Sequence, residues 1–359
     1  MIVQIVDISN KRLLERLESV HGRRPRLEDG EKAIWLRGDN LPIINDILEL
    51  SDVFSRIDKL PAPDGRTSFL LCGSPGAAFE ALRKTEDNDA LKFVGDAAER
   101  YLSYPQLAFE VGSKRFPTNQ LAVMGILNVT PDSFSDGGKH EDPDAAEAHA
   151  ARLLEAGADI IDVGGESTRP GADPVDADEE KRRVLPVIER VKKRRPDALV
   201  SIDTTKAEVA EAALEAGAEI VNDISGGTFD EKMADVVAAR DAGYVIMHTL
   251  DKPKTMQKHV NYADVVVEIY DFLAAQIERA EKAGVKRIVV DPGIGFGKTV
   301  DDNFELIDRL SDFRSLGKPI MLGVSRKSFL GKSLGVELED RDFPTAVVEA
   351  IGATRGAAI

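Results

Sequence analysis

Leu153-Leu-Glu-Ala-Gly-Ala-Asp-Ile-Ile-Asp162 and Ala213-Leu-Glu-Ala-Gly-Ala-Glu-Ile-Val-Asn222 are two copies of one pattern: a helix end, an Ala-Gly break, and an apolar run that closes on a polar residue. Ala242-Gly243 before Tyr244 to His248, and Ala283-Gly284 before Arg287 to Asp291, repeat the pattern with less identity. Each glycine is expected at the left-handed position that ends a helix. Each following run is apolar on both faces, as a parallel strand covered by helices must be. The repeating unit is therefore βα.

Extending the pattern outward predicts strands near 122–129, 160–165, 199–203, 220–224, 244–248, 288–291 and 319–325, with an eighth beginning at Gly356-Ala-Ala-Ile359. Helical periodicity lies between them at Asp144 to Ala156, Asp178 to Lys193 and Val265 to Ala283. This alternation favours a closed (β/α)8 TIM barrel over an open doubly wound sheet, which the same alternation also permits. A barrel takes roughly 250 residues, so a chain of 359 has room for a second, smaller unit. Residues 1–104 read as a small α/β domain of unknown role, with strand-like Ile2 to Ile8 and Ser68 to Cys72. Helical patterns fall there at Lys11 to Val20, Pro42 to Leu50 and Ala77 to Lys84. The Gly73-Ser-Pro-Gly76 turn could hold an anion, although a plain strand-to-helix connection explains it better. Leu107 to Phe116 reads as a hairpin turned at Gly112-Ser113 and placed to plug the N-terminal mouth of the barrel.

Composition excludes several classes. A net charge of −16 argues against general affinity for nucleic acid or anionic membranes, which needs a basic face. No run approaches the roughly 20 apolar residues of a membrane span. Met1 to Asp7 lacks the basic and apolar regions of an export signal, so the cytoplasm is the expected location. One cysteine, Cys72, forms no internal disulfide and reads as a small buried residue on a strand.

In a βα barrel the chemistry sits at the C-terminal strand ends. Here those ends carry Asn128, Asp162 with Glu166, Asp203, Asn222 with Asp223, His248, Asp291 and Ser325-Arg326-Lys327. A single such residue is commonly a helix cap. A full set converging on one mouth is hard to explain as capping. Asp203, Asn222, Asp291 and Lys327 offer donors and acceptors matched to a flat nitrogen heterocycle such as a pterin. Asp291-Pro-Gly-Ile-Gly-Phe-Gly-Lys298 surrounds Phe296 with glycines, allowing close backbone approach to a ligand or simply making a mobile turn. Arg169 provides a fork for an anion, or a solvated surface charge.

The motifs themselves resemble those of the dihydropteroate synthase family. Met124-Gly-Ile-Leu-Asn-Val-Thr-Pro-Asp-Ser-Phe-Ser-Asp-Gly-Gly138 is similar to the family's first signature, and Gly164 to Pro170 to its second. Ser201-Ile-Asp-Thr204, Val221-Asn-Asp-Ile224, Asp291 to Lys298 and Gly323 to Phe329 follow in the family's order, so the resemblance runs from about residue 106 to the end. It implies condensation of 7,8-dihydropterin-6-ylmethyl diphosphate with p-aminobenzoate. It assigns Asp203, Asn222, Asp291, Lys327, Phe296 and Gly323 to the pterin, and Thr168, Arg169, Pro170 and Ser328 to the aminobenzoate and anion. Asn128 would contact the diphosphate or its Mg2+, and Asp136, on a loop from Ser133 to Lys139, would support a cationic intermediate. Asp136, Asp291 and Lys327 are the implied catalytic residues. The substrates are small molecules, and a homodimer is the family habit.

Two departures stand out. Met247-His-Thr-Leu-Asp-Lys-Pro-Lys-Thr-Met256 keeps the family's His, Pro and Met but has Thr-Leu-Asp in place of a common Arg-Gly turn. The resemblance also implies an Arg-x-His on strand 8 and a closing helix. Neither precedes Ile359, so the expectation for residues 105–359 is a barrel truncated near strand 8 and open between strands 8 and 1. Two competing readings are a pterin-binding methyltransferase, which has no use for both the Ser133 loop and the Thr168-Arg169 pocket, and a noncatalytic pterin-binding protein.

Overall fold

The computed structural model describes residues 2–6, 15, 32–38, 54, 56–61, 67–74, 76–77, 80, 89–130, 143–169, 171–258 and 260–359. Six parallel strands form the wall: β7 (Met124–Asn128), β8 (Ile160–Gly164), β9 (Leu199–Asp203), β10 (Ile220–Asp223), β11 (Gly243–Met247) and β12 (Arg287–Asp291). Each is hydrogen-bonded to the next in chain order, the arrangement of a (β/α)8 barrel. Helices α2 (Pro143–Glu155), α3 (Ala177–Arg194), α4 (Ala207–Glu215), α5 (Met233–Ala239), α6 (Val265–Lys282), α7 (Val300–Asp308), α8 (Ser328–Leu334) and α9 (Asp342–Arg355) follow the strands. The main core lies between strands and helices, where outward residues such as Val163, Ile202, Val221 and Val290 meet Val184, Val209 and Ile269.

The expected opening between strands 8 and 1 is corrected at its base. Residues 319–322 and 357–359 run beside one another, with Ala358 N donating to Ile320 O and Leu322 N to Ile359 O. On the opposite side Ala122 N donates to Ala358 O at 2.8 Å. Residues 357–359 are thereby joined to both neighbours at the N-terminal rim.

The four Ala-Gly breaks are not equivalent. Gly157, Gly217 and Gly284 have positive φ, as a helix end requires. At the remaining break the left-handed residue is Asp241, with φ 49°, and Gly243 instead makes room for the plug. Strands β5 (Ala108–Val111) and β6 (Lys114–Pro117) pair as the expected hairpin. Phe109 is buried beneath Ile160, Leu199, Ile220 and Met321. A Cβ on Gly243 would lie 2.6 Å from the Phe109 ring.

The N-terminal region forms a four-stranded antiparallel sheet in the order β1-β2-β4-β3, made of β1 (Ile2–Val6), β2 (Lys32–Gly38), β3 (Arg56–Pro61) and β4 (Thr67–Gly73). β2, β3 and helix α1 (Asp89–Ser103) had no counterpart in the sequence reading. The helices expected at 11–20, 42–50 and 77–84 lie largely outside the described residues. Strand alternation sends Ile34 and Leu36 toward Val94, Ala97 and Ala98 of α1, and Ala33 and Trp35 toward Val267 of α6. Arg37, buried beside the Trp35 ring, pairs with Asp271 of α6 at 2.7 Å. Tyr270 Oη donates to Val3 O at 2.9 Å. Among the described residues no helix is long and apolar enough to cross a membrane.

Gly243→Ala is expected to destabilise the barrel by about 1–3 kcal/mol through overpacking against Phe109. Phe109→Leu in the same chain should recover part of that loss. Urea unfolding of the single and double variants checks this, and strict additivity would contradict the proposed contact.

Candidate functional site

The inward face at the C-terminal mouth is set by register. Asn128 is opposite Gly164, Gly164 opposite Asp203, and Asp203 opposite Asn222, so one row crosses four strands. Gly164 leaves space between its neighbours, because a Cβ there would be 3.5 Å from both Asn128 Oδ1 and Asp203 Oδ2. One layer deeper, Asp162 Oδ2 accepts from Asn222 Nδ2 at 2.9 Å. That bond turns Asn222 Oδ1 away from Asp162, and both it and Asp203 Oδ1 are buried without a protein partner. Buried polar atoms of this kind mark a site where a ligand supplies the missing bonds. Burial pushes the Asp203 pKa well up, and the nearby charges of Asp162, Glu180, Asp223 and Glu166 push the same way.

Across the mouth Asp291 ends β12. Its Oδ1 accepts from Gly293 N at 2.7 Å, and burial raises its pKa against the pull of Lys327. Lys327, the residue before α8, donates to Ile294 O and lies 4.7 Å from the centre of the Phe296 ring. Burial lowers its pKa to about 8, with Asp291 and then Asp203 pulling it back up. Gly323 lies between these charges, its Cβ position 3.5 Å from Asp291 Oδ2 and 3.7 Å from Lys327 Nζ.

The glycine-rich segment 291–298 is locked. Gly293, Gly295 and Gly297 all have positive φ, and a Cβ on Gly293 would collide with His248 O. Lys298, fully buried, donates to Phe296 O at 2.9 Å and approaches His248 Nδ1 at 3.0 Å. Gln257 Nε2 and Tyr262 Oη bind the carbonyls of Gly295 and Gly297. Phe296 is thereby fixed in an apolar wall with Ile224, Met247 and Met256.

Of the residues read from sequence, Asn128, Asp203, Asn222, Asp291, Phe296, Gly323 and Lys327 are placed around this mouth. Thr168 lines a cleft that also reaches Asp203. Arg169 and Ser328 are exposed at the rim. Asp136, with the whole 133–139 loop, and Pro170 lie outside the described residues. Two strand-end residues are structural. Asp223 is consumed by Ser225, Gly227 N and Tyr244 Oη. His248 packs edge-on against Phe272 and is held neutral by burial and by Lys298. Ile224, Met247, Met256 and Lys298 had no role in the sequence reading, and Asp162 had no assigned one. The period-two alternation could have marked Asp162 as inward.

A (β/α)8 barrel with a polar mouth over an apolar base defines a barrel enzyme whose site suits a small, nitrogen-rich ring. Residues 124–359 match the family described as pterin binding enzyme. A dihydropteroate synthase of Synechocystis is 42% identical over 268 residues, covering 74% of this chain and 89% of that protein. A probable bifunctional folylpolyglutamate synthase/dihydropteroate synthase of Haloferax volcanii is 47% identical over 287 residues. That match covers 79% of this chain, which spans only 33% of the bifunctional relative's length. The structure of Xanthomonas albilineans dihydropteroate synthase with 4-aminobenzoic acid superposes with a TM-score of 0.65 at 42% identity, covering 70% of this chain and 90% of that one. The chain belongs to the dihydropteroate synthase family of pterin binding enzymes.

Gly323→Ala tests the mouth directly. Its new methyl group meets only ordinary contacts, so thermal stability should stay near that of the unsubstituted chain. Pterin affinity measured by calorimetry should fall at least about tenfold, because the methyl occupies ligand space. Unchanged affinity would show that the ligand binds elsewhere.

Proposed function

We propose that this chain is a dihydropteroate synthase that joins 7,8-dihydropterin-6-ylmethyl diphosphate to p-aminobenzoate or a related aryl amine. The products are 7,8-dihydropteroate, diphosphate and a proton. The observation that carries the reading is the pair of unpartnered inward oxygens on Asp203 and Asn222 facing Asp291 and Lys327 across one mouth. The family membership and the aminobenzoate-bound relative support the same substrates.

In this reading Asp203 and Asn222 accept from the amino and ring N–H groups of the pterin, and Lys327 donates to it while Phe296 packs against its face. The bond from the methylene carbon to the diphosphate oxygen breaks. Asp291 stabilises the positive charge that spreads into the ring, with Asp136 assisting from its loop. The amine nitrogen then bonds to the methylene and releases its proton. Thr168, Arg169, Pro170 and Ser328 hold the aminobenzoate and the anion. No covalent enzyme intermediate is needed.

Mg2+ fits Asn128. Its amide oxygen is a hard donor beside Gly164 at the mouth, and Mg2+ is commonly held by one or two protein oxygens together with substrate phosphates. When bound it would neutralise charge on the departing diphosphate. Among the described residues no group of three or more His, Cys, Asp or Glu could hold a metal by itself. The proposal extends to a domain boundary, with 1–104 a small α/β domain and 105–359 the barrel, and to action in the cytoplasm. It also extends to a homodimer, since Phe343, Val347 and Ile351 form an exposed apolar stripe at i, i+4 and i+8 on α9.

Turnover of the full chain with dihydropterin diphosphate, p-aminobenzoate and Mg2+ tests the proposal. Dihydropteroate should form and chelation should suppress it, with light scattering giving twice the chain mass. Pterin binding without product would reject the enzymatic reading.

Replacing Asp203 or Lys327 by Ala should cost about 3 kcal/mol in kcat/KM, because a charged contact to a buried ligand is lost. The pH dependence follows from the Lys327 pKa of about 8. The ammonium is charged below that pH and neutral above it, so pterin affinity should fall as pH rises through it. In Lys327→Arg, whose guanidinium stays charged, this alkaline loss should vanish. An alkaline limb identical in both proteins would assign it to another group.

A further inference from the structure

A second polar cluster adjoins the mouth and meets the pterin residues at Asp203. A cleft of about 420 Å³ opens there, lined among others by Glu166, Thr168, Glu180, Asp203 and Lys206. Glu180, in the first turn of α3, is buried. Lys206 immediately precedes α4 and places Nζ 2.5 Å from Glu180 Oε2 and 2.5 Å from Glu166 Oε2. One ammonium at the start of α4 therefore bridges a carboxylate of the loop after β8 and one in the first turn of α3. Burial raises the Glu180 pKa and the bond to Lys206 opposes it. Removing the lysine would leave two neighbouring carboxylates without their shared cation.

Glu166 uses the same Oε2 to accept from Val175 N at 3.3 Å. This brings Glu166 and Val175 together as the two feet of an arch that share one carboxylate. Arg183 Nη1 holds the first foot by donating to Gly165 O at 2.9 Å. Gly165 packs so tightly that a Cβ would lie 2.7 Å from Val184. The far side of the arch rests on the β11 loop, with Gly171 N donating to Pro253 O and Lys254 paired with Asp173 at 2.6 Å. Thr168 and Arg169 belong to this arch. Glu180 is its fixed base, Lys206 the clasp and Glu166 the arm that reaches the clasp.

We propose that Lys206, by bridging Glu166 to Glu180, is a positioning residue that fixes the Thr168-Arg169 arch over the mouth and so sets affinity for the aryl amine. The inference rests on the dihydropteroate synthase reading. It predicts a separation between the two substrates, because the arch holds the amine while the row of strand tips holds the pterin. Small displacements of a positioning group cost up to about a hundredfold, and a half-buried clasp falls below that limit.

The test uses the full chain with Glu166→Ala, Glu166→Gln, Lys206→Met and Lys206→Arg. KM for p-aminobenzoate and kcat come from steady-state turnover, and the dissociation constant of a dihydropterin alcohol comes from calorimetry. Glu166→Ala and Lys206→Met should raise the aminobenzoate KM about tenfold, with a clearly smaller change in pterin affinity, since Glu166 and Glu180 reach Asp203 only through their charge. Glu166→Gln keeps an oxygen for Val175 and Lys206, and Lys206→Arg keeps the charge, so both should recover most of the loss. If Lys206→Met does not fold, Glu166→Ala and its glutamine rescue carry the test, since Glu166 is partly exposed. Parallel weakening of pterin and amine, or an unchanged KM in Glu166→Ala, would overturn the proposal while unsubstituted turnover left the enzymatic reading intact. Absence of turnover in the unsubstituted chain would reject both.

Discussion

One hydrogen-bond register organises the mouth. Parallel strands alternate side chains between the barrel interior and the helix layer. Because Asn128, Gly164, Asp203 and Asn222 are mutual neighbours across β7 to β10, all four must face the same way. The row below it contains Ile126, Asp162, Ser201 and Ile220. Beneath that come Met124, Ile160 and Leu199, closed from outside by Phe109. The interior thus passes from an apolar base to a polar mouth within three layers. A one-residue slip would turn the whole row outward, so the register that stabilises the barrel also assembles the site.

The layering also explains how a strongly acidic chain can serve an anionic substrate. Asp162, Asp203 and Asp291 lie deep, where an N–H-rich ring is the complementary ligand. Lys327 is the cation that reaches this depth beside Asp291, while Lys298 spends its donors on backbone and His248. The proposed anion contacts are the exposed Asn128, at the β7 end of the row that holds Asp203, and the exposed Arg169. Net charge governs encounters at a distance, whereas a diphosphate responds to the few groups it touches.

Much of this was legible because the chain repeats itself. The strand at 160–164 and the strand at 220–223 are both announced by the same Ala-Gly break and the same apolar run, and their polar ends fall where a barrel puts its chemistry. The sequence reading gave Asn222 to the ligand and Asp223 no role, and the backbone supplies the reason. They are adjacent in sequence, but alternation sends Asn222 inward and Asp223 into the turn at Ser225 and Gly227. His248 was misleading for a related reason, since its ring is taken up by Phe272 and Lys298. β2 escaped notice because its apolar run, Ala33 to Leu36, is short and flanked by charges. Its burial comes from packing on both faces, against α1 on one and α6 on the other. The closure of the barrel at Ala358 could not be read either, because it depends on a hydrogen bond to a residue more than two hundred positions away.

The same limit separates the two halves of the site. The proposed pterin contacts arise from strand tips, whose direction is inherited from a regular ladder, and regularity is what a sequence advertises. The arch at 166–175 has no repeating geometry, and its shape depends on Glu180 and Lys206 from later units. A substrate held by the ladder has contacts that cannot shift without disturbing the barrel. One held by the arch depends on a few ionic contacts that can be altered singly. If the amine is held as proposed, its affinity has a physical route to change, through the arch and its clasp, that leaves the strand register and the fold intact.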